Sequence, residues 1–248
     1  MLKGEKVSTP KVLITGAAGL VGTILRRHWG DRYRLRLADV RPVEELAAHE
    51  EYCAFDMTRE DECRRACQGV DTVVHLAADP GSEDFTGSLL PRNIIGPYNI
   101  FNAAAAVGCR RVIFTSSIYA VRGHGPNLPV EPNGPPYPQG LYGATKCWGE
   151  ALGRVFASRH PLSVIVIRLG NPRFDQGGDW DADEPSYMMS PRDTADLFGR
   201  CVDVAEVDFA IVHGPSRHRR QWLGLEFTGG LLGFEPRDGT AFPRKESD

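Results

Sequence analysis

The sequence predicts an α/β fold, a doubly wound parallel sheet with helices on both faces. Two observations carry this. Short apolar, β-branched runs alternate with helical patterns along most of the 248 residues, as in a parallel sheet built from strand–helix–strand units. The first of these runs passes straight into a glycine-rich turn that opens a helix, ITGAAGLVG. No solenoid-like repeat and no low-complexity tract interrupts the alternation.

The elements follow in order. KVLIT (11–15) is a strand, and the glycine turn after it leads into a helix that runs to about Trp29. YRLRLADV (33–40) alternates apolar and polar residues, a strand with one wetter face. EYCAFDM (51–57) is a third strand, and REDECRRACQG a helix closed by Gly69. DTVVHLAA (71–78) is a buried strand, residues 87–107 form one long helix ending at Gly108, and RRVIFTSS (110–117) is the next strand. Residues 139–159 are a helix and LSVIVIRLG (162–170) a strand. At Ser190-Pro191-Arg192-Asp193 a helix begins, with Ser as cap, Pro in the first helical position and Asp in the first turn. It runs to about Val204, and FAIVHG (209–214) is the last strand. The Gly- and Pro-dense segment 122–138 and the segment 171–189 are loops. Both follow strands of the second half of the sheet, where ligands of open α/β sheets bind. The chain thus reads as one domain over 1–248, with a core at 11–170 and 171–248 mostly a substrate cap and loops.

Bulk properties narrow the function. Charged residues make up 25% and the net charge is −3, so no nucleic-acid surface is expected. The basic run Arg217, Arg219, Arg220 with His218 reads as a solvated loop. No window approaches the roughly 20 apolar residues that span a bilayer, and no signal peptide is read at the N-terminus. The six cysteines, at 53, 63, 67, 109, 147 and 201, form no Cys-x-x-Cys pair. No metal site is expected, and free thiols fit a cytoplasmic protein.

The glycine turn places Gly16, Gly19 and Gly22 in G-x-x-G-x-x-G spacing. One glycine permits the tight turn, one lets the backbone approach a pyrophosphate, and one lets the helix pack on the sheet. The helix N-terminus then offers free N–H groups to phosphates. This is the strand–turn–helix context that gives the motif meaning. Asp39 ends the second strand, where a carboxylate accepts from the adenosine ribose hydroxyls and repels a 2′-phosphate. The cofactor read from this is NAD, although Arg41 stands two residues on. Asp56 is assigned to the adenine edge, its competing reading being a cap for the next helix.

Tyr142 and Lys146 stand four apart at the start of a helix, on one face. By itself such a pair is ordinary surface decoration. Ser116 and Ser117 end the strand before it. Together, TGAAGLVG, Asp39, HLAA (75–78), NIIGPYN (93–99), FTSS (114–117), YGATK (142–146) and RLGNP (168–172) resemble the extended, epimerase-like branch of the short-chain dehydrogenase/reductase superfamily, over about residues 11–172. NIIGPYNIFNAA, LYGATKCWGE and LLGFEP (231–236) are similar to runs of uronate dehydrogenases, which oxidise C1 of a uronate to a lactone with NAD.

The resemblance implies a Rossmann-type core with catalytic Ser117, Tyr142 and Lys146. It implies cofactor contacts from Gly16, Ala18, Gly19, Leu20, Val21, Asp39, Asp56, Met57, Leu76, Ala77, Ala78, Asn93, Tyr142, Lys146 and Asn171. Substrate contacts fall to Ser82, Ser116, Ser117, Ile118, Tyr119 and Arg173, and the assembly is expected to be a homo-oligomer. The chemistry is coherent. A phenol has a reference pKa of about 10. A neighbouring ammonium and the cofactor's positive ring would favour the phenolate, leaving Tyr142 as base, Lys146 as its tuner and Ser117 on the substrate oxygen.

The chain also departs from that family. Ile118 and Tyr119 stand where uronate dehydrogenases carry Asn and His, and Pro80 where they carry a sugar-contacting Ser, with Ser82 nearby. Their carboxylate-holding Arg corresponds to a place near Trp180, among Asp175, Asp179, Asp181, Asp183 and Glu184. Arg173, Arg122 and Arg217 are the candidate replacements. His124 could face a substrate, whereas His75, Trp29 and Trp148 read as packing residues, His75 as a satisfied core imidazole. The expected function is NAD-dependent oxidation of a small sugar or sugar acid. Two alternatives are carried. One is an epimerase or dehydratase of a nucleotide sugar, although about 75 residues after strand 162–170 leave little to cover a nucleotide diphosphate. The other is a non-enzymatic dinucleotide sensor, which would not need Ser117, Tyr142 and Lys146 together.

Overall fold

The computed structural model describes residues 9–125, 129–173, 187–218 and 220–239. Seven parallel strands form the central sheet: β1 (Lys11–Thr15), β2 (Arg34–Asp39), β3 (Glu50–Ala54), β4 (Thr72–His75), β5 (Arg111–Ser117), β6 (Ser163–Leu169) and β9 (Phe209–Gly214), in the order β3-β2-β1-β4-β5-β6-β9. All six pairings are parallel. Two short strands, β7 (Asn171–Pro172) and β8 (Met188–Met189), pair separately. The chain leaves β1 toward β2 on one side and returns to β4 on the other. This reversal opens a crevice beyond the carboxyl ends of β1 and β4, the usual ligand site of such sheets.

Two apolar layers sandwich the sheet. On one face Ile24, Leu25 and Trp29 of α1 (Leu20–Trp29) and Leu197, Phe198 and Cys201 of α5 (Pro191–Asp203) cover Ile14, Leu37, Ile113 and Ile165. Leu232 of α6 (Glu226–Leu232) joins them. On the other, α2 (Glu60–Cys67), α3 (Gly96–Val107) and α4 (Gly140–Arg159) cover Leu13, Val73, Val112 and Val164. Adjacent strand residues serve opposite faces, so the strands read as almost unbroken apolar runs. A third cluster of Ile118, Val121, Val130, Trp222 and Leu223 lies under the loops after β5. Trp222 ties it together, with its carbonyl accepting from Val130 N at 2.7 Å.

The α5 start is built as the sequence predicts: the Ser190 hydroxyl accepts from Asp193 N at 3.1 Å. Gly108 closes α3 at φ 78°. The short β7 and β8 fall within the expected loop 171–189, α6 has no counterpart in the sequence reading, and two further segments differ from it. The third strand stops at Ala54, and Asp56 turns the chain by accepting from Thr58 N at 2.9 Å and Thr58 Oγ1 at 2.8 Å. The expected helix 87–107 is two pieces, a wide π-helical stretch Phe85–Ile95 followed by α3. Pro91 lies inside the first piece and lacks the N–H an α-helix needs; apolar periodicity does not register that loss. No described helix is long and apolar enough to cross a membrane.

Candidate active site

A cavity of about 830 Å³ runs along the carboxyl ends of the sheet strands, from the glycine turn at one end to Tyr142 and Tyr187 at the other. At the turn, Gly16 has φ +72°, and a Cβ there would stand 2.8 Å from Ala77 N. A Cβ on Gly22 would stand 2.5 Å from Ala17 O. Glycine is therefore demanded twice by backbone proximity. Gly19 precedes α1 without any side-chain cap, so the first N–H groups of that helix are left to a ligand. Asp39 is 7% exposed; its carboxylate accepts from Ala18 N and from Arg41 N, each at 2.9 Å. The Arg41 guanidinium donates to Ala18 O at 2.9 Å and lies 3.8 Å from Asp39. A bare glycine cradle, an uncapped helix and an acceptor at the end of β2 fit a dinucleotide: pyrophosphate on α1, adenosine ribose at Asp39.

Ser117 ends β5, and Tyr142 and Lys146 follow on the first turns of α4. All three line the far part of the same cavity. Burial pushes the Tyr142 phenol up to about 12, and the neighbouring Ser117 works against that shift. Ser117 Oγ also accepts from Tyr119 N at 3.2 Å. Lys146 is 4% exposed, donates to Thr115 O at 2.9 Å and stands 5.5 Å from the Tyr142 ring centroid. Burial pulls its ammonium down to about 8. The expected lowering of the phenol by Lys146 is thus not seen in the protein alone. The physical reason is desolvation, which disfavours both charged forms at once.

The remaining sequence-predicted residues divide. Leu20, Val21, Asp56, Met57, Leu76, Ala77, Ala78, Ser116, Ile118, Tyr119 and Asn171 line the cavity; Ala18, Ser82, Asn93 and Arg173 do not. Asn93 is buried and works on the frame. Its Oδ1 accepts from Asp79 N, and its Nδ2 donates to Asp79 O, both at 2.8 Å, and to Thr145 Oγ1 at 3.2 Å. It thereby joins the loop after β4 to α4. Ser82 serves the same loop: Ser82 N donates to Asp79 Oδ1 at 3.1 Å, and its hydroxyl accepts from Asp84 N at 3.0 Å. Arg173 and Arg217 are exposed, and Arg122 is half-buried. Trp180 and the acidic run 175–184 lie outside the described residues, as does Arg219.

Ser116 lines the cavity, yet its hydroxyl donates to Glu150 Oε1 at 2.6 Å. Glu150 in turn receives Arg168 Nε at 3.0 Å and Nη2 at 2.8 Å. This buried pair, with side chains 6% and 1% exposed, fastens α4, β5 and β6 to one another beneath the site. Glu150 follows Lys146 by four residues, a helical repeat of the Tyr142–Lys146 spacing that could have signalled it. His75 is less satisfied than a core imidazole should be: Nδ1 bonds Thr15 Oγ1 at 2.8 Å, while the buried Nε2 has no partner. Burial holds it at about 3, hence neutral. Arg92 and Tyr187 also line the cavity and carry no motif that would have announced them; Leu169 lines it too and belongs to RLGNP.

Comparisons with known proteins agree with this geometry. The profile of the NAD dependent epimerase/dehydratase family matches residues 12–173. An NAD-dependent glucose-6-phosphate dehydrogenase from Haloferax volcanii is 34% identical, over 93% of this chain and 94% of its own. A uronate dehydrogenase from Pseudomonas putida is 29% identical, over 93% and 85%. Among solved structures, a tyrosine-to-alanine variant of uronate dehydrogenase from Agrobacterium tumefaciens, complexed with NAD, superposes with a TM-score of 0.85 at 28% identity. That match covers 93% of this chain and 86% of the other.

Proposed function

Because the chain belongs to the NAD dependent epimerase/dehydratase family, we propose that it is an NAD-dependent dehydrogenase that oxidises the C1 hydroxyl of a small sugar or sugar acid to a lactone. The observation that carries this is one continuous cavity holding the glycine turn and Asp39 at one end and Ser117, Tyr142 and Lys146 at the other. The relatives named above act on sugars of this size.

The bound cofactor supplies the hydride acceptor. Each remaining task falls to a residue of the chain. Ser117, next to Tyr142 at the end of β5 and acting against the rise of its phenol, holds the sugar hydroxyl oxygen. Tyr142 takes the hydroxyl proton as the C1 hydride departs. With its phenol at about 12 when no cofactor is bound, it stays protonated at neutral pH and cannot accept a proton in the free protein, and a positive charge arriving beside it is what would bring its pKa toward working pH. Lys146, fixed by Thr115 O, holds the ribose next to that phenol. Asn171, at the mouth of β7, has its N–H fixed on Tyr187 O at 2.7 Å and walls the cavity opposite.

The test is NADH absorbance across aldoses, uronates and sugar phosphates, with wild type and Tyr142→Phe. Wild type is expected to form NADH with at least one of them. The variant is expected to bind NAD normally and lose at least about 10²-fold in rate, the usual scale for a positioned acid or base. Isomerised sugar without net NADH would assign the chain to epimerases instead, and no reaction with any sugar would favour a sensor.

A further inference from the structure

Building on the sugar-dehydrogenase reading, we infer that Arg122 receives an anionic group of the substrate, a phosphate or carboxylate at the end of the sugar remote from the reacting carbon. Three arginines compete for that task. Arg173 and Arg217 are exposed, where a guanidinium is hydrated and an ion pair is worth little. Arg92 lies at the cavity but is engaged by Asp79 at 3.3 Å and Ser88 Oγ at 2.7 Å. Arg122 differs from all of these. It is half-buried, and its guanidinium carbon rests 4.9 Å from the Tyr119 ring centroid and 5.7 Å from that of Tyr187. Among the described residues its guanidinium makes no hydrogen bond and no ion pair; its backbone carbonyl accepts from Gly125 N at 3.5 Å.

Two ring faces thus hold the cation while its planar N–H fork stays free. An arginine stacked on aromatics is pre-organised, and its edge matches an oxygen pair of a carboxylate or phosphate. Position fits as well. Tyr119 and Tyr187 line the sugar end of the cavity, and the Tyr119 ring lies 5.8 Å, edge-on, from the Tyr142 ring. Arg122 is therefore separated from the proposed base by a single tyrosine. Arg122 is not itself among the residues lining the cavity; with the reacting carbon at Ser117 and Tyr142, the anion lies beyond Tyr119, on the fork. Tyr119 then stands where it can stack on the sugar ring between the two charges, a use for an aromatic residue in place of a polar one.

The experiment compares wild type, Arg122→Gln and Arg122→Lys with glucose, glucose 6-phosphate, glucuronate and galacturonate, each at saturating NAD. Wild type is expected to prefer an anionic sugar over glucose, and the phosphate and carboxylate arms identify which anion. Arg122→Gln is expected to raise the KM for that anion about 10- to 100-fold, the scale of a lost charge-assisted hydrogen bond. Its kcat and its KM for glucose should be unchanged, and Arg122→Lys should recover part of the loss. Inorganic phosphate should compete with the anionic sugar in wild type, a readout that requires no variant. Equal KM for glucose and its anionic counterparts in wild type would overturn the inference, as would a variant that keeps the anion preference. Calorimetric binding of the same sugars to the NADH complex separates the two readings. Sugar anions bound through Arg122 without any turnover would sink the dehydrogenase and leave the anion site. Turnover indifferent to charge would sink the anion site and leave the dehydrogenase.

Discussion

Replacing Glu150 by Ala strikes the buried pair beneath the site. In the native protein Glu150 accepts three hydrogen bonds, two from Arg168 and one from Ser116. Its removal leaves the Arg168 guanidinium, 1% exposed, with Pro132 O at 3.4 Å as its one other hydrogen-bond partner among the described residues. Beside it in the sheet register is His213, whose imidazole burial and the Arg168 charge hold at about 3, so it is neutral and cannot supply an anion. An uncompensated buried charge costs about 3–5 kcal/mol. For a domain of this size each kcal/mol shifts Tm by roughly 2–4 °C, so a drop of roughly 6–20 °C is expected in thermal unfolding without ligand. Replacing both partners, Glu150→Ala with Arg168→Met, removes the stranded charge and should recover most of that loss, whereas Arg168→Met alone strands the Glu150 carboxylate. The two single variants and the double variant form a cycle that isolates the coupling. A fall in Tm of less than about 2 °C for Glu150→Ala, or no recovery in the double variant, would refute the argument that the pair is held by mutual compensation.

Asp39→Ala should weaken NAD binding and narrow the NAD/NADP preference, read as the ratio of kcat/KM for the two cofactors; a wild type that already prefers NADP would hand selection to Arg41. Gly22→Ala forces a Cβ to 2.5 Å from Ala17 O, an overpacking that should cost about 1–3 kcal/mol of stability together with NAD affinity, measured by denaturant unfolding and by NADH fluorescence. Lys146 has its proton affinity lowered to about 8 by burial. From about pH 8 up to the ordinary lysine value the unfolded chain therefore binds more protons than the folded one, and this residue's contribution to stability rises with pH across that window. The difference in unfolding free energy between wild type and Lys146→Met should trend accordingly without NAD; a flat difference from pH 8 to 10 would contradict it.

The sequence by itself determined the sheet, the glycine turn and the grouping of Ser117, Tyr142 and Lys146, because each is written in local spacing. Apolar runs have the length of strands, the Gly16-Gly19-Gly22 pattern sits between a strand and a helix, and Tyr142 and Lys146 share a helical face. Only the tertiary structure decided what depends on distant segments. Asn93 belongs to a motif in the sequence, yet its bonds to Asp79 and Thr145 show it joining two elements. Ser116 looks like a partner for substrate until Glu150, 34 residues away, takes its hydroxyl. Arg122 is one loop arginine among several until Tyr119 and Tyr187, 68 residues apart in the chain, bring two rings against it. The split at Ile95–Gly96 and the raised phenol of Tyr142 belong to the same class. A missing N–H inside a helix and the loss of water around a side chain are set by three-dimensional surroundings, which residue spacing along a chain does not encode.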